Sequence, residues 1–355
     1  MKASRVPLFP RRAPRWSLAP ALLAVLGAPS ASAVDERPIS EPRLPPLTCH
    51  AGYLKLEAPH GLAGVRAALQ QALSRNDPAA LRFLEERLAE VIGEDASAAL
   101  QVVEWAHTAR EPELSLYLRA VRETEAVRAP AVVERLVTLA ENHQSPDHQA
   151  NALVALETQH RFEPAVLERL TTLARRDTLA LGVTMTTVRA IGRVMDNDFQ
   201  RTGRFTPYLE KLLEVALDST EANVRSLALE MGTYSDARIE GQALEQLARF
   251  QAEDPDPGVR EMAALVMSSG RDTRAVLDAF RASFPREKDV CVRWALVRYA
   301  VRAAGPGALP LLEDFARQDA RFRRDFAEFK ALYDAGHVDF NQVFLRKRNH
   351  HRCGG

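Results

Sequence analysis

Residues 254–267 read DPDPGVREMAALVM, and this stretch decides the fold. Its acidic and proline residues suit a turn and the first position of a helix. The apolar residues that follow have the spacing of one buried helical face. An acid followed after two residues by Val-Arg occurs three times, starting at Glu221, Asp256 and Asp289. The steps are 35 and 33 residues, and a fixed period of that size predicts an array of helical hairpins.

Helical periodicity extends on both sides of this stretch, over residues 61–336. Two weaker copies lie around His148 and Val183, where Gln149 and Thr184 replace the arginine. We therefore predict an all-α fold, a right-handed α-solenoid of about seven to eight hairpins. The polar residues 196–206 interrupt the array. Their Asp-Asn-Asp start has the look of a calcium loop but lacks its later ligands and central glycine, so we predict a solvated loop.

The Asp-x-x-Val-Arg-x-x-Ala pattern on the second helix of each hairpin resembles the HEAT-repeat family, in its short bacterial form. The resemblance is good over residues 207–303 and fair from 130. It implies an armadillo-type superhelix that serves as a recognition surface. The tetratricopeptide and ankyrin signatures are absent from the repeats.

Each clean repeat carries an acid and an arginine four residues apart. A carboxylate in the first turn of a helix suits the helix dipole, and a pair at this spacing shares one side of the helix. Because neighbouring repeats share their geometry, each arginine should also reach the acid of the next repeat. We predict an inter-repeat ladder formed by Glu221, Arg225, Asp256, Arg260, Asp289 and Arg293.

The same register predicts a binding strip. In a hairpin solenoid the second helices line the concave face, where such proteins bind partners. Offsets of two, six and ten residues from each repeat valine point away from the packed side. The predicted strip residues are Trp294, Arg298, Arg302, Arg189, Arg193, Glu230 and Tyr234. Tryptophan and arginine dominate interface energetics, so Trp294, Arg298 and Arg302 are the predicted anchors for an acidic or aromatic-accepting partner. The alternative is that Trp294 packs on a neighbouring hairpin.

The N-terminus predicts export. Residues 1–33 contain five basic residues and no acidic ones, a short apolar run, and an Ala-x-Ala motif that ends at Ala33. This pattern is typical of a Sec-type signal peptide cleaved after Ala33, and the apolar run is too short to span a membrane. Loss of five positive charges takes the formal charge from 0 to −5, which argues against nucleic-acid binding. Residues 34–60 are proline-rich and predict an extended linker.

The three cysteines leave two alternatives open. Cys291 and Cys353 can pair if the C-terminus folds back, whereas Cys49 lies near the opposite end; otherwise all three are free thiols. We predict that residues 337–355 form a basic C-terminal tail. Either this tail is mobile, or it binds a transition metal through His350, His351 and Cys353, with Cys49 and His50 as distant partners. The preceding Phe322, Phe326, Phe329 and Tyr333 predict the apolar face of a capping helix.

No catalytic constellation is found in the sequence. It contains no His-Glu pair, no His-x-x-x-His, no Gly-x-Ser-x-Gly and no Walker loop. We therefore predict no cofactor and no metal, and an exported, monomeric, non-enzymatic scaffold that binds a protein or peptide on its concave face. The location is periplasmic or extracellular. Two alternatives are a HEAT-like enzyme or cofactor-handling protein similar to bilin lyases, and a structural component of the cell envelope.

Overall fold

The described part of the chain is built from helices. A computed structural model describes residues 59–233, 237–351 and 353. Extended pairing in these residues is limited to one isolated parallel bridge between Ile239 and Gly270. The predicted all-α fold is confirmed. The predicted signal peptide and nearly all of the linker lie outside the described residues.

The helices follow one another with short connections. The first nine are α1 Gly61–Ser74, α2 Pro78–Ile92, α3 Ala96–Thr108, α4 Glu113–Arg122, α5 Pro130–Asn142, α6 Pro146–Leu156, α7 Pro164–Ala174, α8 Leu181–Thr202 and α9 Thr206–Asp218. The others are α10 Ala222–Glu230, α11 Gly241–Glu253, α12 Pro257–Met267, α13 Thr273–Ser283, α14 Val290–Ala304, α15 Leu309–Gln318, α16 Arg323–Asp334 and α17 Phe340–Arg346.

The helices pack in adjacent pairs. In the described residues α1 to α16 form eight such pairs, from α1 with α2 to α15 with α16. Helices of neighbouring pairs also pack together: each odd-numbered helix from α3 to α13 contacts the next odd-numbered one, and each even-numbered helix from α2 to α12 contacts the next even-numbered one. Two rows of helices result, with the apolar core between them.

The turn signals of the repeat begin the helices as expected. Asp256 and Asp289 are N-cap residues whose carboxylates accept backbone N–H groups of the first turn. Pro257 follows at the first helical position of α12. Each cap pairs N–H groups that have no partner inside the helix, so it fixes where the helix begins.

The predicted loop over 196–206 is wrong in its first half, because α8 continues to Thr202. Two polar residues there, Asn197 and Asp198, point inward to protein partners. Asp198 is 1% exposed and accepts hydrogen bonds from the hydroxyl groups of Tyr208 at 3.0 Å and Thr202 at 2.7 Å. Asn197 donates to two backbone carbonyls of the preceding pair. These inward bonds allow a polar sequence to stay helical beyond its apolar stripe.

The prediction of a mobile basic tail also needs correction. Residues 340–346 form α17, which packs on α16. The described residues after it, 347–351 and Cys353, run back to α14, and we call them the C-terminal strap. The predicted apolar face of the preceding helix is present, since Phe322, Phe329 and Tyr333 are buried and Phe326 packs against the core.

Candidate functional site

The predicted strip lies on the even-numbered helices α8, α10 and α14, and its members differ in accessibility. Arg189, Arg193 and Arg302 are exposed, and Glu230 is half-buried. Tyr234 lies outside the described residues. The exposed members can meet a partner directly.

Trp294 cannot meet a partner directly in this structure, because its exposed fraction is 1%. Its ring stacks against Phe329 of α16 at a centroid distance of 6.3 Å. The strap covers it as well, with the His351 ring at 5.2 Å and the Lys347 ammonium at 4.8 Å from the indole centroid. The contact with Phe329 is the alternative that the sequence left open, in which Trp294 packs on a neighbouring hairpin. The offsets, counted from the repeat alone, also take no account of the chain that returns after the last pair.

Arg298 is also withdrawn from solvent, with an exposed fraction of 6%. Its guanidinium donates to a carboxylate oxygen of Glu261 at 2.7 Å and to the hydroxyl oxygen of Tyr299 at 2.5 Å. It also lies 5.7 Å from the ring centroid of Phe344 in α17. Burial raises the pKa of Glu261, and the charge of Arg298 opposes that rise. The cation over Trp294 is therefore Lys347, and the arginine predicted there is paired elsewhere.

Lys347 occupies a closed site that the sequence did not predict. Its side chain is almost wholly buried between the rings of Trp294 and Phe329 and the carboxylates of Asp325 and Glu328. We call these four residues the lysine cage. The ammonium lies 2.5 Å from Asp325 Oδ1 and 3.3 Å from Glu328 Oε2, and it donates at 2.7 Å to the backbone carbonyl of Arg348. All three N–H groups of the ammonium thus have an acceptor.

Two histidines of the strap bind the same carboxylates. His351 Nε2 lies 2.8 Å from Asp325 Oδ2, and His350 Nε2 lies 2.7 Å from Glu328 Oε1. Burial tends to raise the pKa of Glu328, but the hydrogen bond from His350 and the charge of Lys347 outweigh it, so the pKa is lowered. The cage therefore favours an ionised Glu328, and its acceptors suit ligand groups that are cationic or donate hydrogen bonds.

A disulfide between Cys291 of α14 and Cys353 closes the strap. This decides between the two alternatives that the sequence left open for these cysteines. It also changes the reading of the predicted metal donors, because Cys353 is bonded to Cys291 and both histidines are bonded to carboxylates. In the part of the chain that is described, no group of three or more His, Cys, Asp and Glu side chains is arranged to hold a metal ion.

The arginine ladder crosses between layers, but with acids other than those predicted. Arg225 binds Asp254 through two hydrogen bonds of 2.8 and 2.9 Å, and Arg260 binds Glu287 in the same way at 2.8 and 3.0 Å. Arg293 donates to Asp319 at 2.8 Å. Each guanidinium also donates to carbonyls of the loop before its own helix; the acceptors are Ser219, Thr220, Asp254, Pro255 and Glu287.

The predicted acids Asp256 and Asp289 are used differently, because their carboxylates cap helices. Glu221 takes the corresponding N-cap position of α10. Two of the ladder acids, Asp254 and Glu287, precede the predicted acids Asp256 and Asp289 by two residues. Each ladder acid, Asp319 included, accepts the backbone N–H of the residue two positions after it. The ladder thus joins the loops that start α10, α12, α14 and α16.

Over the described residues, no helix has the length and apolar character needed to cross a membrane. No protein-family model matches the chain, and no curated protein matches it. A solved structure from "Computational Design of Self-Assembling Cyclic Protein Homooligomers" is 13% identical, with 80% of this chain and 93% of that chain covered and a TM-score of 0.16. A similarity at that TM-score carries no argument about the fold or assembly of this chain.

Proposed function

We propose that this protein is an exported α-solenoid of HEAT-like repeats that binds a segment of another protein on the face of its even-numbered helices. One observation carries the proposal. Chain that follows the last helix pair lies against α14, with Phe344 near Arg298 and Lys347 and His351 on Trp294. Two of the predicted strip residues, Arg298 and Trp294, are thus already in contact with a segment of this chain. The strip continues beyond that segment with the exposed Arg302, Arg189 and Arg193.

The packing supports a solenoid as the architecture of this proposal. Pairs of helices contact the pairs before and after them in two rows, and the arginine ladder repeats the same link from layer to layer. Such an array gives each layer one helix of each row, so the even-numbered row offers side chains at a regular repeat. That arrangement suits an extended partner.

The disulfide supports the proposed export. Structural disulfides persist in oxidising compartments and are rare in the cytosol. Together with the composition of residues 1–33, the Cys291–Cys353 bond favours a periplasmic or extracellular location. N-terminal sequencing of the native protein should find a chain that begins at Val34, and an intact Met1 on cytosolic protein would contradict export.

Site-specific photocrosslinking tests the binding face. A benzophenone amino acid placed at Arg302 or Arg189 should capture a partner protein from the native envelope or secreted fraction. The matched control is Arg274 of α13, an arginine whose side chain is 93% exposed on an odd-numbered helix. We expect one partner from both even-row positions and none from the control. Equal capture from both rows, or none from either, would contradict the proposed face.

A further inference from the structure

We propose that the lysine cage is a specificity site of this face: it takes a lysine of a basic segment from another protein, and the C-terminal strap is its intramolecular competitor. The disulfide between Cys291 and Cys353 holds the competitor in place. The inference rests on the proposed function, because it states the chemistry of the partner.

The geometry of the cage selects a lysine. Asp325, Glu328 and the carbonyl that follows the lysine give three acceptors around one ammonium, which matches its three N–H groups. The rings of Trp294 and Phe329 lie 4.8 and 5.2 Å from the nitrogen and add cation–π attraction. A planar guanidinium spreads its donors in a fork and fits such a compact set of acceptors poorly. The third acceptor belongs to the ligand itself, so the ligand backbone must turn its next carbonyl back to the ammonium.

The cage also requires an occupant. Asp325 is fully buried, and its two oxygens are bonded to Lys347 and His351. A buried carboxylate that loses its cation keeps its desolvation penalty without compensation. An incoming segment must therefore replace the strap group by group. The positions of His350 and His351 further predict that the partner carries hydrogen-bond donors three and four residues after its lysine.

The strap has the features of a removable ligand. Arg348 and Asn349, between the lysine and the histidines, are exposed, and both disulfide cysteines are only half-buried. With the disulfide closed, the strap is tethered at both ends, so an external peptide competes against a very high effective concentration. With the disulfide open, one tether remains, and a segment that binds more tightly can displace the strap.

Opening requires a dithiol reductant. One of its thiolates attacks Sγ of Cys353 and displaces the Cys291 thiolate, and its second thiol then resolves the mixed disulfide. Two electrons pass to the protein, which keeps two cysteine thiols, while the reductant leaves as a disulfide. Both cysteines are partly accessible to such a molecule.

Peptide binding to the mature full-length chain tests the inference. The probe is a fluorescein-labelled peptide, LRKRNHHRS, which copies residues 345–353 with serine for the cysteine. Its matched control has norleucine for the lysine. We expect no binding to the oxidised wild type and binding to the Cys353→Ser/Lys347→Ala protein. The control peptide should bind that variant about tenfold or more weakly, because it brings no cation to the buried carboxylate.

Further variants separate the cage from general effects. In the same background Asp325→Asn should remove the preference for lysine, whereas Arg274→Ala should leave it unchanged. If the double variant does not fold, Cys353→Ser alone is titrated with excess peptide, and faster amide hydrogen exchange of residues 347–351 reports displacement of the strap.

Three outcomes would overturn the inference: a strap whose amides stay protected from hydrogen exchange after reduction and peptide addition, equal binding of both peptides, or a reduced protein that dimerises through its own strap, as light scattering would show. Failure of peptide binding together with specific crosslinks from Arg302 would leave the proposed face supported and remove only the lysine site. Failure of the crosslinks would instead contradict the proposed function itself.

Discussion

Arg260 connects three parts of the chain through one guanidinium. It donates to Glu287 of the next layer and to two carbonyls of the loop before α12. Both side chains of the ion pair are largely buried. Removing one partner of such a pair leaves a desolvated charge, which costs about 3 kcal/mol. We expect Arg260→Ala to lower the free energy of unfolding by that amount, measured by urea denaturation.

The matched control is Arg274→Ala. That arginine is 93% exposed and pairs only along its own helix, so its loss should change stability by under about 1 kcal/mol. A double-mutant cycle with Glu287→Gln would assign the difference to the pair. Equal urea midpoints for Arg260→Ala and wild type would show that the ladder does not stabilise the fold.

His148 gives a prediction about pH. It is buried, its Nε2 lies 2.9 Å from the Ala109 carbonyl, and its ring stacks on His143 at 3.8 Å. Burial lowers the pKa of His148 below its ordinary value of 6.5, and the charge of His143 lowers it further. The hydrogen bond to Ala109 opposes this, and His107 and Asp147 make smaller contributions that lower and raise the pKa, respectively. As the pH drops, His148 is therefore protonated in the unfolded chain before it is protonated in the folded chain. The free energy of unfolding falls as the pH drops below about 6.5.

The test replaces His148 with glutamine, which keeps a donor for the Ala109 carbonyl and does not titrate. Urea midpoints at pH 7.5 and 5.5 should differ less for His148→Gln than for the wild type. The same pH dependence in both proteins would assign it to other groups.

At this scale the sequence predicted which arginines link the layers but not the acids that they bind. The arginines stand at fixed repeat positions, whereas the acids lie in loops, at a place set by how each loop enters the next helix. For the strip, the register located α14 correctly. It left the burial of Trp294 open: Phe329, which stacks on the ring, follows 35 positions later, about one repeat, whereas Lys347 and His351 follow more than 50 positions later.

Among the elements, α8 lies close at Gly192 to Met231, the first residue of the 3-10 turn that follows α10. A Cβ atom there would lie 2.2 Å from Sδ and 2.8 Å from Cβ of Met231. We expect Gly192→Ala to force α8 and this turn apart and to destabilise the protein by about 1–3 kcal/mol, the usual cost of overpacking a core. Thermal denaturation would measure it.

Gly182, in the first turn of the same helix, is the matched control. A Cβ atom there has no neighbour within 4 Å, so Gly182→Ala should be neutral or slightly stabilising through its higher helix propensity. A neutral Gly192→Ala would mean that Met231 moves aside without loss, and that the close approach is not needed.

Helices with an apolar stripe and a capping residue were predicted closely except α17, whose N-cap Asp339 and apolar residues Phe340, Val343 and Phe344 fall in the predicted tail. The other two differences have one cause. The end of α8 and most of the described strap are polar, and several of their polar groups bond to other parts of the protein, as Asp198 does with Tyr208 and Lys347 with Asp325. Periodicity reports burial of apolar side chains only. Burial of paired polar groups depends on which segments meet in the fold, and that information is not local.

Over the whole molecule, the links between layers are unevenly distributed. The ladder joins the loops from α10 to α16, and its ion pairs are largely buried. Ion pairs between layers in the first half are more exposed than those of the ladder; in the pair of Arg119 with Glu85 half of the arginine side chain is accessible. Exposed pairs contribute little to stability. Where layers contact only their neighbours, the stability of each layer depends on its own interfaces, so weaker links in the first half leave those layers less stable than the later ones.

We therefore expect the layers to open in order under denaturant. Amide hydrogen exchange followed by mass spectrometry in increasing urea should show that α1 to α4 lose protection first and α10 to α14 last, because opening free energies follow local contacts. Arg260→Ala serves as the internal check, since it should lower the protection of α12 and α14 and leave α1 to α4 unchanged. Loss of protection at one urea concentration throughout would mean that the layers unfold together, and the proposed solenoid with nearest-neighbour stability would then have to be abandoned.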